Sequence, residues 1–416
     1  MKLSKGKILL LFDKIKSRFI EELSSIPDFA LYHFSLKSKV KQPTIVFAGT
    51  MIHARIPRMA RALKDSGAKY NLVLLCKKDK YDPKLSNDCF DKIELFKNKW
   101  GVKRLVKQYD SNLTVFHSFG PPYGAANIVV RYAKKGKTIF DYQDLLLSNF
   151  ELNPPFAYMR KDMIKEKYIL QNVQGIISHS LELQLAKKLY GSIAAKKLFF
   201  PNYVDSNLFV SKKEPKLGSE IHLVYAGGVY SKHRNKDYFG GGQLHWLIEK
   251  LNKQKIHFHI YPSPVNLKSD LIDYYQLDKE LPYFHFHDAV KQDKLAEKMS
   301  QYDFGILPFF HRTNKKSNYK RKYATTLKLY NYFEAGIPII IGEDVDFQNY
   351  MGSRYGGSIK AKWEDFDDSH KKKLYTIKYI INKVQTSKIT GIIATNTTTD
   401  KSTLKDEKYW NYEGGL

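Results

Sequence analysis

The chain has 416 residues, too many for one ordinary hydrophobic core, so two domains of similar size are expected. Hydrophobic residues make up 43% and charged residues 27%, a balance that argues against an intrinsically disordered chain. Lys and Arg number 69 against 42 Asp and Glu, giving a net charge of +27 that attracts nucleic acid, anionic lipid or phosphorylated small molecules without choosing among them.

Residues 1–40 form a basic amphipathic extension, with Ile8, Leu9, Leu11, Phe12, Ile15, Phe19 and Ile20 at helical spacing. It reads either as a helix packed on the body of the protein or as a segment lying on an anionic membrane surface. The run Ile8 to Phe12 is far shorter than the roughly 20 apolar residues a bilayer span needs, and no small-residue cleavage site follows it. A cytoplasmic location, with peripheral contact to the inner membrane face, is the expectation. Cys76 and Cys89 offer neither metal-ligand spacing nor a disulfide framework, and Cys76 reads as core packing.

From Thr44 onward short apolar runs alternate with helical stretches. Thr44–Gly49, Tyr70–Cys76, Leu113–His117, Thr138–Asp141 and Gly175–Ser178 read as buried strands, with helices over Arg55–Ser66, Tyr123–Lys134 and Leu181–Tyr190. The pattern pauses near Pro201, and the polar stretch 211–219 reads as a linker. Strands then resume at His222–Ala226, His257–Tyr261, Tyr283–Phe286, Phe304–Leu307 and Ile337–Ile341. Helices are expected over Leu244–Asn252, Lys291–Ser300 and Leu327–Glu334, and again over Asp365–Val384. The fold class is therefore α/β, with two Rossmann-like parallel-sheet domains over 41–210 and 211–385 facing each other across a cleft. A loop-like tail occupies 386–416. Ligands of open parallel sheets bind beyond the carboxyl ends of the strands, which directs attention to Gly49, His117, Asp141, Gly227 and Pro308.

Two stretches carry chemistry. Val224-Tyr-Ala-Gly-Gly-Val-Tyr230 ends a strand in two glycines, closely followed by Lys232, His233, Arg234 and Lys236. Bare backbone admits a bulky anion and the cations offset its charge; a plain tight turn has the same appearance. Further on, Phe304-Gly-Ile-Leu-Pro308 leads into a loop bearing Arg312, Lys315, Lys316, Lys320, Arg321 and Lys322, then a helix opening at Leu327. The amino end of such a helix suits a phosphate. Tyr302 and Tyr319 would instead make the loop a nucleic-acid patch with interleaved aromatics. His285 and His287 share one strand face, but no third ligand is evident, so no metal site is expected.

Three landmarks in order and spacing make the chain resemble the GT-B glycosyltransferases, and most of all the retaining group called family 4. Pro201-Asn-Tyr-Val-Asp205 with Phe209 resembles the family's hinge-entry motif, and Tyr225-Ala-Gly-Gly-Val229 its glycine turn. Lys328-Leu-Tyr-Asn-Tyr-Phe-Glu-Ala-Gly-Ile-Pro338 resembles its Lys-Leu-x-Glu-Tyr-x-Ala-x-Gly-x-Pro signature. The resemblance implies transfer of a sugar from a nucleotide-diphosphate donor, without a metal or other cofactor, to a glycan or lipid-linked acceptor in surface polysaccharide synthesis. It implies donor binding by Gly227, Gly228, Lys232, Arg234, Pro308, Lys328, Leu329, Asn331 and Glu334, and an acceptor side around Gly49, His53 and Arg55. His117 and Asp144 are the catalytic candidates.

The chain also departs from the family. Asn331 and Tyr323 stand where the family carries two glutamates, and Gln143 stands in place of a histidine in Asp141-Tyr-Gln-Asp144. These departures keep open an inactive glycosyltransferase-like binding subunit, and a nucleotide-sugar epimerase on the same architecture is a second alternative. A nucleic-acid-binding protein is favoured by charge alone.

Overall fold

The structure, a computed structural model, describes residues 27–30, 32, 40–81, 83–86, 88–146, 157–204, 210, 217–308, 321–354, 357–363, 369–375 and 378. Most of the expected extension over 1–40, Asp205 and Phe209 of the expected hinge-entry motif, residues 211–216 of the expected linker, much of the expected helix over Asp365–Val384 and the expected tail over 386–416 lie outside them. The chain divides into two compact units, one formed chiefly by residues up to Phe200 and the other chiefly by residues from Pro201 onward.

The first unit holds a seven-stranded sheet of order β3-β2-β1-β4-β5-β6-β7. Its strands are β1 (Thr44–Ala48), β2 (Asn71–Lys77), β3 (Lys92–Phe96), β4 (Thr114–Gly120), β5 (Lys137–Tyr142), β6 (Gly175–Ser178) and β7 (Lys196–Phe199). Every pairing is parallel. The longer helices are α1 (Arg55–Asp65), α2 (Lys99–Tyr109), α3 (Gly124–Tyr132) and α4 (Ala157–Asn172), and α5 (Glu182–Tyr190) belongs to this unit from Ala186 onward. Chain order moves outward from β1 through β2 to β3 and then reverses to β4, β5 and β6. Right-handed crossovers therefore put α1 on one face of the sheet and α2, α3 and α4 on the other. Period-two alternation feeds both faces. Phe47, Leu72 and Leu74 pack with Ile56 and Ala60 of α1, while Val46, Val73 and Leu75 pack with Leu105 and Val106 of α2 and Val129 of α3.

The second unit repeats the plan with six parallel strands in the order β10-β9-β8-β11-β12-β13. These are β8 (His222–Gly227), β9 (His257–Pro262), β10 (Phe284–Phe286), β11 (Phe304–Leu307), β12 (Ile339–Gly342) and β13 (Ser358–Ala361). Its longer helices are α6 (His245–Lys253), α7 (Ile272–Glu280), α8 (Gln292–Met299), α9 (Leu327–Glu334) and α10 (Asp346–Arg354). In each sheet the strand order reverses once, between β1 and β4 and between β8 and β11, and an α/β sheet opens its ligand crevice at such a reversal.

Candidate functional site

Strand β8 ends at the reversal point in Gly227-Gly228. Gly227 has φ +155°, a conformation that L side chains rarely adopt, and its carbonyl accepts from the Ser263 N–H at 3.0 Å. A Cβ on Gly227 would stand 2.0 Å from Lys328 Cε and 3.0 Å from its Nζ, so the Lys328 side chain lies directly over this backbone. A Cβ on Gly228 would meet nothing within 4 Å and would face open space. Lys328 sits in the first turn of α9, whose N-cap Thr326 accepts from the Lys328 N–H at 3.4 Å. The first N–H groups of a helix lack intrahelical acceptors and carry its positive dipole end. Bare backbone, an ammonium and a helix amino terminus thus meet at one strand end, an arrangement suited to a phosphate.

Neighbouring side chains hold this turn in place. Tyr332, one turn along α9 from Lys328, accepts from the Ala226 N–H at 3.2 Å and donates to the Ile306 carbonyl at 3.0 Å, pinning β8 to β11. Gly305 makes room for it, since a Cβ there would fall 2.4 Å from the Tyr332 ring. Asn266 donates to the Val229 carbonyl at 2.6 Å and accepts from the Ser263 N–H at 3.1 Å, tying the loop after β9 to the glycine turn. Sequence reading missed Asn266. Tyr332 lay within the quoted signature, and its spacing of four from Lys328 was the available signal.

The other expected donor residues are placed as follows. Lys232 is exposed, and its backbone N–H donates to Asp273 at 2.8 Å. Arg234 donates through both Nε and Nη2 to the buried Asp270, so that a protein carboxylate already occupies two of its donors. Leu329 is packed in the core. Asn331 is buried and accepts from Gln292 of α8 at 3.1 Å, and Glu334 is buried as well. Pro308 is buried at the end of β11. The loop cations Arg312, Lys315, Lys316 and Lys320, with Tyr319, lie outside the described residues. Tyr302 does not serve an exposed aromatic patch: it is 1% exposed and shares a 2.7 Å hydrogen bond with Tyr261, because its ring fills space beside β9.

In the first unit the strand ends gather Gly49, His53, Arg55, His117 and Asp141. Asp141, fully buried at the end of β5, accepts from Arg55 Nε at 3.0 and 3.3 Å, while Arg55 Nη2 donates to the Phe200 carbonyl at 2.6 Å. His117 Nε2 approaches Asp141 at 3.8 Å without forming a hydrogen bond, and this buried nitrogen has no hydrogen-bond partner among the described residues. His53 donates through Nε2 to the Pro121 carbonyl at 2.7 Å, which leaves Nδ1 as the acceptor. Burial pushes the His53 pKa below its usual value, against the opposing pull of that carbonyl and of Asp144 and Asp141. The Asp144 carbonyl accepts from the Tyr123 hydroxyl at 2.6 Å. A Cβ on Gly49 would strike the Phe119 ring at 2.0 Å, so this loop has room only for glycine.

The sheet of the second unit also carries histidines that sequence spacing did not connect. Parallel register sets His222 beside His257 and His259 beside His285. His222 Nδ1 meets His259 Nε2 at 3.0 Å, His259 Nδ1 meets His287 Nε2 at 3.0 Å, and His257 Nδ1 meets His285 Nε2 at 2.8 Å. His285 and His287 therefore have further imidazoles beside them, supplied by strand register and not by chain spacing. Even so, no group of three or more candidate ligands among the described residues could hold a metal ion. Burial and the neighbouring imidazoles lower His222 to about 4 and push His259 further down.

Comparison with known proteins places the fold. The chain resembles the Anabaena protein HepE in complex with UDP and glucose (13% identity, 85% of this chain and 93% of that one, TM-score 0.54). It resembles sucrose-phosphate synthase from Thermosynechococcus elongatus (12% identity, 83% and 90%, TM-score 0.53). An alpha-glucosyltransferase in complex with UDP gives 12% identity over 88% and 98%, with a TM-score of 0.51. The chain thus has the two-domain Rossmann-like fold of the GT-B glycosyltransferases. No protein-family model matches it, and no curated protein does.

Proposed function

We propose that this chain is a glycosyltransferase that uses a nucleoside-diphosphate sugar. The observation that carries the reading is the Lys328 ammonium laid over the positive-φ Gly227, beside the amino end of α9. Loss of a nucleoside diphosphate leaves negative charge on its phosphate oxygens, and a fixed ammonium with helix N–H groups stabilises that charge as it develops. Lys328, Gly227 and Gly228 hold the diphosphate in this reading, with Lys232 and Arg234 near its outer oxygens. Pro308 and Leu329 shape the pocket, and Asn331 or Glu334 reaches the ribose. The UDP complexes of HepE and alpha-glucosyltransferase support a nucleotide-sugar donor.

On the first unit, Gly49, His53 and Arg55 line the acceptor side. His117 and Asp144 are the catalytic candidates, His117 because its buried Nε2 has no hydrogen-bond partner among the described residues. A glycan or lipid-linked acceptor, with retention at the anomeric carbon as in family 4, completes the proposal. The test is nucleoside-diphosphate release from UDP- and GDP-sugars in the presence of lipid-linked and soluble glycan acceptors, with the product anomer read by NMR. Acceptor-dependent release abolished in Lys328→Ala supports the reading; no turnover of any nucleotide sugar sinks it.

A further inference from the structure

Helices α2, α3 and α4 lie side by side over one face of the first sheet, and their outer surface carries almost only positive charge. Neither 99–109 nor 124–135 contains an Asp or Glu. The acids of α4 turn inward: Glu166 is fully buried against the Tyr142 and Tyr190 hydroxyls, and Asp162 is buried and paired with Lys165. The loop acid Asp110 is engaged by the N–H groups of Lys134, Lys135 and Gly136. Outward stand Lys99, Lys107, Arg131, Arg160, Lys161 and Lys167, all exposed.

Aromatic rings are interleaved with these cations. Lys103 Nζ sits 4.2 Å from the Trp100 ring centre and 4.4 Å from that of Tyr132, bridging α2 and α3, and Arg131 stacks on Tyr168 of α4 at 3.7 Å. Apolar side chains project from the same layer: Ile164 is 70% exposed and Tyr158 63%. Asp28, Phe29 and Tyr32 also lie here. Phe29 packs edge-on against Trp100 at 4.6 Å, Asp28 pairs with Arg104, and Lys107 donates to the Tyr32 carbonyl at 3.1 Å.

We infer that the α2–α3–α4 face docks on an anionic lipid bilayer. Clustered cations supply attraction to lipid phosphates, and an exposed isoleucine and tyrosine supply the apolar contact that such an interface rewards. That apolar component favours a bilayer over a nucleic acid, which would use the cations and rings but gains nothing from Ile164. The inference is independent of the transferase reading, because vesicle binding needs neither donor nor acceptor.

The test is cosedimentation of the full chain with phosphatidylcholine vesicles, with and without phosphatidylglycerol. Two variants of equal net charge are compared: Lys134→Glu/Lys135→Glu/Lys161→Glu/Lys167→Glu on this face, and Lys253→Glu/Lys268→Glu/Lys279→Glu/Lys291→Glu on the second unit. Binding should require phosphatidylglycerol, weaken in high salt, fall at least about a hundredfold in the first variant and stay near wild type in the second. Ile164→Asp should weaken it further without altering thermal stability. Equal loss in both charge variants, or undiminished binding by the first, overturns the inference. So does a wild-type chain that ignores anionic vesicles while binding duplex DNA.

Discussion

Lys328 lies across Gly227 so closely that a single methyl group on the glycine would collide with its Cε at 2.0 Å. The relationship links a strand end to a helix start and fixes an ammonium where the backbone is bare. Gly227→Ala should therefore displace the lysine and also strain a backbone at φ +155°, a cost of about 1–3 kcal/mol. Nucleotide affinity should fall by at least roughly tenfold, whereas Gly175→Ala in the first unit, whose Cβ would make only ordinary contacts, should bind like wild type. Calorimetric titration of both variants with UDP and GDP checks this; equal affinities would remove Gly227 from the site.

Tyr332→Phe tests how the turn is held. The hydroxyl satisfies both the Ala226 N–H and the Ile306 carbonyl within a fully buried setting. Losing it strands both groups, at about 1–3 kcal/mol by the usual cost of an orphaned buried partner. Chemical denaturation should register that loss, and a stability change below about 0.5 kcal/mol would show that the clamp is not needed.

The Arg55–Asp141 pair gives a prediction for the first unit. Asp141 is fully buried and accepts from Arg55, with His117 nearby. Asp141→Asn removes the buried charge that accepts from the Arg55 guanidinium and should destabilise by about 3–5 kcal/mol. Arg55→Lys should recover little, since one ammonium cannot reach both Asp141 and the Phe200 carbonyl. Unfolding curves near wild type for either variant would contradict this.

Acid should weaken the second unit through its histidines. Burial, reinforced by neighbouring imidazoles, holds His222 near 4 and His259 lower, and burial also lowers His285 and His287. Unfolded imidazoles titrate near 6.5, so below that pH the unfolded chain binds more protons than the native one and stability falls as pH drops. Each such histidine contributes up to about 1.4 kcal/mol per pH unit until its folded value is reached, which for His222 spans about 6.5 to 4. Denaturant unfolding at pH 7.5, 6.0 and 5.0 should show a progressive loss. Constant stability across that range would be inconsistent with neutral, buried imidazoles.

Much of the fold was legible because interior parallel strands are covered on both faces and read as unbroken apolar runs. The strands that escaped, β3, β7 and β13, are all sheet edges. Lys92 and Glu94 in β3, and Lys196 and Lys197 in β7, break the apolar signal where one side has no partner strand. Helix α4 escaped because its inward face carries Asp162 and Glu166, which satisfy hydroxyl donors and a lysine where periodicity expects apolar residues. Gly227 and Lys328 were legible from motif order. The carboxylate on Arg234, the Asn266 staple and the histidine register were not, because they depend on which strands and loops become neighbours in space.

The most direct test of the donor site is a thermal-shift screen against nucleoside diphosphates and nucleotide sugars, with Lys328→Ala alongside. A ligand at 100 times its dissociation constant adds about 2.7 kcal/mol of apparent stability. A shift with one nucleotide that shrinks in Lys328→Ala is the predicted result, and it identifies the base. No shift with any of them, or one equally large in the variant, would contradict a diphosphate site at Gly227 and Lys328.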